Sequence, residues 1–418
     1  MRTRLLSVSL AACLLAATGP ALAAGPSNDA SHSGGDAGHE GRSDSPRNLD
    51  PEHSSGGAKG PIAGDAPLWP RRAPTQTSRV SWQVAPGVTF TRWSQTDARG
   101  PITAHLLTID PSTPGLRIDY ASMGQVRRTA PVRDILAVDH AVAGVNGDFY
   151  DIGHTGAPLG LGKDRQRGLL HAREEGWNSA FFINRRGRAG IGDLPMQARI
   201  VGRPDMEITN LNSPFVQPGG IGVYTPRWGR TAGYRVTQGQ RKAVRAVTVV
   251  NGRVRTNKGK LSNDEPIKGQ LLIGRGPGAE LLRKLDKGTR LTVRWTLHNR
   301  PQMAISGNHF LVHEGIITAV DDRQMHPRTA VGVDNDTGEV LLLVIDGRQT
   351  DSRGYTMVEL ANLMIDLGAD EAVNLDGGGS STMVAKNRKG NMAVLNDPSD
   401  GFQRWVANAV EVTYSPPS

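Results

Sequence analysis

The chain has 418 residues, enough for one large or two ordinary domains, and sets 49 Lys and Arg against 40 Asp and Glu for a formal net charge of +9. Its one cysteine, Cys13, lies near the N-terminus, so a chain that has lost that segment holds neither a disulfide nor a cysteine-ligated metal. No second apolar run is long enough to span a bilayer, and no membrane contact is expected once the first is removed.

Arg2 and Arg4 precede "LLSVSLAACLLAA" and then "ALA" at residues 21 to 23. That pattern predicts a secretory signal peptide over residues 1–23, cut after Ala23, and a secreted or envelope protein. "LAAC" around Cys13 also fits a lipoprotein cleavage box, although few apolar residues precede it. Without this segment 47 basic residues face the same 40 acids, which leaves +7. Such a balance suits an anionic substrate or a cell-wall polymer, and equally a generically basic secreted protein. No nucleic-acid partner is expected.

Residues 24–66 are rich in Gly, Ser, Asp, His and Pro and lack apolar periodicity. They are expected to form a disordered leader, because their composition cannot offset the entropy of ordering. His32, His39 and His53 are too scattered there for a metal tract. Residues 67–418 are expected to form the folded body. "SWQVAPGVTFTRWSQ" and "ITAHLLTIDP" read as strands. "PVRDILAVDHAVAGVNGDFY" reads as a helix from 132 to about 140 and then a strand ending at Asn146. The middle, about 200–300, is strand-rich, with a short helix in "GPGAELLRKLDKG" closed by Gly288. "TMVELANLMIDLG" is the clearest helix, ended by Gly368. No internal repeat is visible. The expected class is α+β, a mixed, strand-rich sheet body with a few packed helices.

Three apolar runs end in polar groups: Asn146, Gly147 and Asp148; Asp346, Gly347 and Arg348; Asn374, Leu375 and Asp376, followed by Gly377, Gly378 and Gly379. Each is also ordinary turn chemistry. "RTAVGVDNDTGEVLLLVID" reads as a hairpin. A turn centred between Asp336 and Thr337 sets Arg328 opposite a position from Val344 to Asp346. An Arg–carboxylate pair there is either structural or half of an anion site. "DNDTGE" is too short for a calcium loop. Thr356 and Glu359 fit a capping box, so Glu359 has a structural duty open to it as well as a chemical one. "GGGSS" is neither a phosphate-binding P-loop nor a nucleophile elbow, but successive glycine amides can form an anion nest. His309 and His313 lie on a strand-like segment with no accompanying ligand pattern, which argues against zinc.

In order, "VAGVNGDFYDIGHTGAPLG", "HPRTAVGVD", "LLLVIDGR", "SRGYTMVELANLMIDLGADEAVNLDGGGSSTMV" and "RWVANAVEV" resemble the phosphodiester glycosidase family, across roughly residues 80 to 412. "GIGVYTPRWGRT" fits its bacterial branch. The cysteine-rich region of the animal members has no counterpart in the sequence, so their substrate is not carried over. The resemblance implies hydrolysis of a sugar-1-phosphodiester at the anomeric carbon, on a phosphorylated glycan of the envelope or an exopolysaccharide. It implies catalytic candidates Asp376, Asp148 and Glu359. Substrate and phosphate contacts fall to Arg328, Asp346, Arg348, Asn146, Asn374, Gly377, Gly378, Gly379 and Ser380. Neither cofactor nor metal is expected. Ordinary glycosidases must protonate a poor leaving alkoxide. A phosphate monoester leaves more readily and needs charge stabilisation instead. The rivals are a non-catalytic polysaccharide-binding protein with the same fold and a phosphodiesterase that breaks P–O.

Overall fold

A computed structural model describes residues 54–57, 74–320 and 323–417. The expected signal peptide, most of the expected leader and Trp69 lie outside the described residues. The unit Asn48–Ser418 is built mainly of strands.

"RTAVGV" and "VLLLVI" are nearly continuous in apolar character, which suits strands covered on both faces. They form Arg328–Val333 and Val340–Ile345, every residue buried, paired antiparallel with Val333 opposite Val340 and Arg328 opposite Ile345. The turn between them is tied by Asp334, whose carboxylate accepts the amides of Asp336 and Thr337, and by Gly338 N–H donating to Asp334 O. This is an Asp-nucleated turn, as the residue types suggest.

The hairpin is the centre of an eight-stranded antiparallel sheet. Its order is Thr75–Ala85, Val88–Asp97, Gly100–Ile109, Val340–Ile345, Arg328–Val333, Glu371–Leu375, His309–His313 and Ile316–Ile317. One face, with Val331, Leu342, Val344 and Leu107, shares a core with Val145, Ile118, Val410 and Met383 of a five-stranded sheet. The other face, with Ala330, Leu341, Leu343 and Ile345, is covered by Leu360, Ala361 and Met364 of the helix Met357–Asp366. That helix opens on a complete capping box between Thr356 and Glu359. It closes on Gly368 at φ +98°, with Ala369 N–H bonded back to Met364 O. A second helix, Val132–Ala137, packs on the outer face of the five-stranded sheet against Ala121, Val384 and Ala409. The layers therefore run helix, sheet, sheet, helix.

The strand-rich middle supplies half the strands of a ten-stranded sheet around Leu272, Val247, Ile221 and Ala304, with Leu282 of the helix Pro277–Arg283 packed on it. That helix stops before Gly288, whose amide instead bonds Val254 O. Only Ile208–Leu211 and Ile221–Tyr224 pair in parallel among the described strands. The α+β expectation therefore fits loosely: the body is mostly β, with three short α-helices among the described residues. The cause is legible in hindsight. The middle strands are three to seven residues long, and the connections between them hold one α-helix, Pro277–Arg283.

One stretch of the expected leader is ordered. Residues 54–57 dock on the body: Ser54 bridges Asp151, Ser55 N–H donates to Tyr150 O, and Tyr150 N–H donates to Ser55 Oγ at 3.0 Å. Gly56 lies against the Phe149 ring, where a Cβ would stand 2.6 Å from a ring carbon. Backbone bonds of this kind need no apolar side chains, which is why composition did not reveal the contact.

Candidate active site

Two of the three strand-end turns meet. After the strands Ala143–Asn146 and Glu371–Leu375 end, Asp376 N–H donates to Gly147 O at 3.0 Å. Asn408 holds the first turn, accepting from Asp148 N–H at 2.8 Å while its own carbonyl takes Gly147 N–H. Asp148 and Asp376 are thereby neighbours, each 1% exposed. Such burial penalises charge on both. Asp148 accepts from Gly160 N–H at 2.8 Å, and its other oxygen makes no hydrogen bond of regular geometry among the described residues, with the Ser306 hydroxyl and the Phe149 amide close enough to oppose the effect of burial. Its pKa is raised well above the usual carboxylate value, by burial first and also by the charge of Asp376. Burial raises Asp376 to about 7, against the opposing pull of Ser380, Ser55, Arg404 and the Gly377 amide. Neither of its oxygens makes a hydrogen bond of regular geometry. An uncompensated buried carboxyl group of this kind is costly to the fold, and such sites cluster where chemistry is done.

Beside this pair lies a cavity of about 550 Å³, whose wall includes their neighbours Phe149, Asn374 and Gly377, with the two carboxyl groups themselves just behind it. Arg328, Arg348 and Arg404 line it, with His326, His309, Asn374, Asn308, Gly377 and Gly378. Ser55, Gly56 and Phe149 form another part of its wall, and Ser55 is the cavity residue whose hydroxyl reaches Asp376. Arg348 is held by its Nη2 on His326 Nδ1 at 2.8 Å and has φ +61°, an uncommon conformation for a side-chain-bearing residue. Arg404 is held by Asp400 at 2.8 Å. Burial, and then the nearby charges of Arg404 and Arg328, lower the pKa of Arg348. Among the described ion pairs of these three arginines, the carboxylate is Asp400, on Arg404. Asn374 Nδ2 donates to Asn308 Oδ1 at 2.7 Å, and its own Oδ1 has no protein partner.

Arg328 lines the cavity, but its three nitrogens already donate to Tyr355 O, Met357 Sδ and Gln324 O. It makes no pair with Asp346. The expected sharing of the hairpin end is real in register and false in facing. Arg328 is opposite Ile345, so Asp346, one residue on, points to the other side of the sheet. There Asp346 binds His105 Nε2 at 2.7 Å and accepts from Asn396 Nδ2 and Asp397 N–H. It braces the loop over the sheet and does not line the cavity.

Asn146 and Glu359 are likewise occupied elsewhere. Asn146, fully buried, accepts from Thr329 Oγ1 and Thr382 N–H and donates to Asp376 O at 2.6 Å. It ties three elements together behind Asp376 rather than meeting a ligand. Glu359 caps its helix and pairs with Arg353 at 2.7 Å and Arg99 at 3.0 Å. Burial opposes its charge, but Arg353 and the Thr356 amide hold its pKa below the ordinary value. It is absent from the cavity wall.

The glycines serve close packing more than an amide nest. Gly378 N–H is taken by Pro327 O, and Ser380 N–H by Gly377 O in the single turn Gly378–Ser380. Gly378 has φ +61° and lies under the Arg348 guanidinium, while a Cβ on Gly379 would overlap Arg404 and Asp400. Ser380 Oγ is buried beside Asp376.

Sequence reasoning did not single out Arg404, His326 or Ser55. Arg404 and His326 stand inside motifs that carried the family resemblance, so the signal was present in "RWVANAVEV" and "HPRTAVGVD". For Ser55 nothing in the sequence pointed to the site. His313 is bonded to Glu371 at 2.8 Å, which raises its pKa, and stands apart from His309 in role. Among the described residues no group of three or more His, Cys, Asp or Glu has metal-binding geometry.

Residues 229–413 match the phosphodiester glycosidase family. That span includes Arg328, Arg348, Asp376 and Arg404; Asp148 lies outside it. Over 97 residues the chain is 33% identical to the SPbeta prophage-derived uncharacterized protein YomE of Bacillus subtilis, covering 23% of this chain and 14% of that protein. Over 76 residues it is 42% identical to the N-acetylglucosamine-1-phosphodiester alpha-N-acetylglucosaminidase of Bos taurus, covering 18% of this chain and 13% of that enzyme. The matched stretches thus span about one seventh of these relatives. The fold is shared with a putative exported protein of Burkholderia pseudomallei, at a TM-score of 0.66 and 20% identity over 85% of this chain and 100% of that one.

Proposed function

We propose that this chain, whose residues 229–413 match the phosphodiester glycosidase family, hydrolyses a sugar-1-phosphodiester at the anomeric C–O bond. The observation that carries the reading is the meeting of two unlike parts: three arginines on one cavity wall, and a buried carboxyl pair beside it. Arg348 and Arg404, with Arg328 behind them, take the charge of the departing phosphate as the bond breaks, in a site where burial strengthens their pull. Guanidinium forks match phosphate oxygens in pairs.

The two carboxyl groups divide the remaining work by their environments. Asp376, raised to about 7, ionises within the neutral range. It supplies the electron pair at the anomeric carbon, directly or through the attacking water. Asp148, its pKa also raised by burial and by the charge of Asp376, donates a hydrogen bond to the sugar when it holds its proton. The products are the free sugar and a phosphate monoester. Asn374 Oδ1, lacking a protein partner on the cavity wall, accepts from a sugar hydroxyl.

Arg2, Arg4 and the apolar run after them support a site of action outside the cytoplasm, on envelope or exopolysaccharide glycans. Turnover of a chromogenic sugar-1-phosphodiester, abolished by Asp376→Asn in a protein with native circular dichroism, is the expected result. No turnover of any such substrate by the native chain would overturn the reading and leave the non-catalytic binding protein.

A further inference from the structure

A second concave surface, of about 400 Å³, opens beside the turn Gly233–Thr237. Arg235, Arg241, Tyr234 and Asn263 line it, and His154 forms the opposing wall. Arg127 stands next to it. The described contacts of these three guanidiniums go to backbone carbonyls and aromatic rings. Arg235 donates to His154 O at 3.3 Å, and Arg127 donates to Thr155 O at 3.2 Å and Arg230 O at 2.7 Å. Arg127 lies 5.3 Å from the Trp228 ring centre and Arg241 4.8 Å from that of Tyr234. The nearby carboxylates are engaged by others: Asp264 by Arg230 at 2.7 Å, and Asp151 by His154 at 3.0 Å and by Thr155. Among the described ion pairs none includes Arg127, Arg235 or Arg241. Asp264 and Asp151, already shared with Arg230 and His154, offset the positive charge of this groove only in part. Burial and then Arg235 lower the Arg127 pKa against the opposing pull of Asp264 and Asp151.

The groove is also preformed. Buried Arg275 donates to Val216 O at 2.7 Å, Gln238 Oε1 at 3.1 Å and Gln240 Oε1 at 2.9 Å, which fixes the turn carrying the wall. Thr237 Oγ1 closes the same turn onto Gln240 O at 2.8 Å. Guanidiniums held in such a frame lose little entropy on meeting an anion.

One loop joins the groove to the cavity. Phe149 lines the cavity and His154 lines the groove. Five residue steps separate their Cα atoms by at most about 18 Å even if fully extended. A few sugar-phosphate units are long enough to span that separation.

We propose that this groove is a second anion subsite, which binds a further phosphate of a phosphodiester-linked glycan polymer whose scissile unit occupies the arginine cavity. The proposal rests on the hydrolytic reading above and deepens it: the substrate is a polyanion gripped at two points rather than a small monoester-like molecule. Tyr234 adds an aromatic surface for a sugar ring between the charges.

The test compares native protein with the double variant Arg235→Ala/Arg241→Ala, both residues being exposed, after equal melting temperatures confirm the fold. Two substrates are used, a chromogenic sugar-1-phosphodiester with one phosphate and a synthetic oligomer of phosphodiester-linked sugars. The double variant should leave the single-phosphate kinetics within about twofold. For the oligomer, KM should rise about tenfold with kcat little changed, and the salt dependence of binding should weaken, as loss of charge-assisted contacts requires. Unchanged oligomer kinetics, or equal loss on both substrates, would overturn the proposal. If the native chain hydrolyses neither substrate, the hydrolytic reading fails separately. Direct binding of the oligomer by calorimetry then decides the groove, with at least tenfold weaker binding by the double variant supporting it and equal binding sinking it. A single-stranded oligonucleotide that binds the groove as tightly as the glycan would also overturn it, by showing a site for any polyanion.

Discussion

Asp376→Asn should cost activity and gain alkaline stability at once. Burial raises Asp376 from 3.8 to about 7, so the folded chain holds this proton more tightly than the unfolded chain does. The stability from that proton is fully present below about pH 4 and is lost as pH rises through about 7. Asparagine has no proton to lose. Between pH 4.5 and pH 8 the variant should therefore gain on the native protein by about 2.5 pKa units, or about 3 kcal/mol at about 1.4 kcal/mol per unit. At roughly 2.1 cal/mol/K per residue of unfolding entropy, this is on the order of 4 °C in melting temperature for a unit of this size. Thermal melts of both proteins at the two pH values, followed by circular dichroism, measure it. Turnover of the chromogenic diester should fall on the order of 100-fold or more, as for a lost base or nucleophile. A variant that is less stable by the same amount at both pH values, with activity retained, would refute the reasoning and make Asp376 a structural acceptor.

Native turnover should rise with pH through about 7 as Asp376 ionises, and a pH–rate profile that falls through that range would assign it the acid role instead. Ser55→Ala removes a hydroxyl that holds the Asp376 pKa down, so the same limb should move to higher pH, and an unmoved limb would show that Ser55 does not act on Asp376. Glu359→Gln should lower the melting temperature, by about 1–3 kcal/mol of lost charged hydrogen bonds, and leave kcat within about twofold. Loss of turnover in a folded Glu359→Gln protein would return Glu359 to the chemistry. Gly379→Ala should displace Arg404 and raise KM about tenfold or more, while Arg348→Lys should do the same through loss of the paired guanidinium contact. Near-native kinetics in both would place the phosphate elsewhere.

Much of the frame was legible because local rules agree with the fold there. The hairpin turn set Arg328 opposite Val344 to Asp346, within one position of its partner Ile345, and Thr356 with Glu359 marked the start of the helix Met357–Asp366. Apolar strands that end in polar turns singled out Asp148 and Asp376, which meet, and by the same signal Asp346, which does not join them. What escaped was facing and long-range company. A strand alternates sides at each residue, so knowing the register to within one position left the side of Asp346 open, and it went to His105. Arg404 and Ser55 reach the site from irregular segments, where no periodicity announces a direction. Asn146 read as a ligand-facing residue because Asn-Gly at a strand end looks the same whether it points out or bolts two sheets together.

The reading turns on which bond breaks, and hydrolysis in oxygen-18 water measures that directly. With a sugar-1-phosphodiester as substrate, mass spectrometry of the products should find the label in the hydroxyl at the sugar's anomeric carbon and none in the phosphate monoester, collected before the sugar exchanges with solvent. Label in the phosphate would mean attack at phosphorus, and the buried Asp148 and Asp376 pair would then have to be reassigned as the apparatus of a phosphodiesterase.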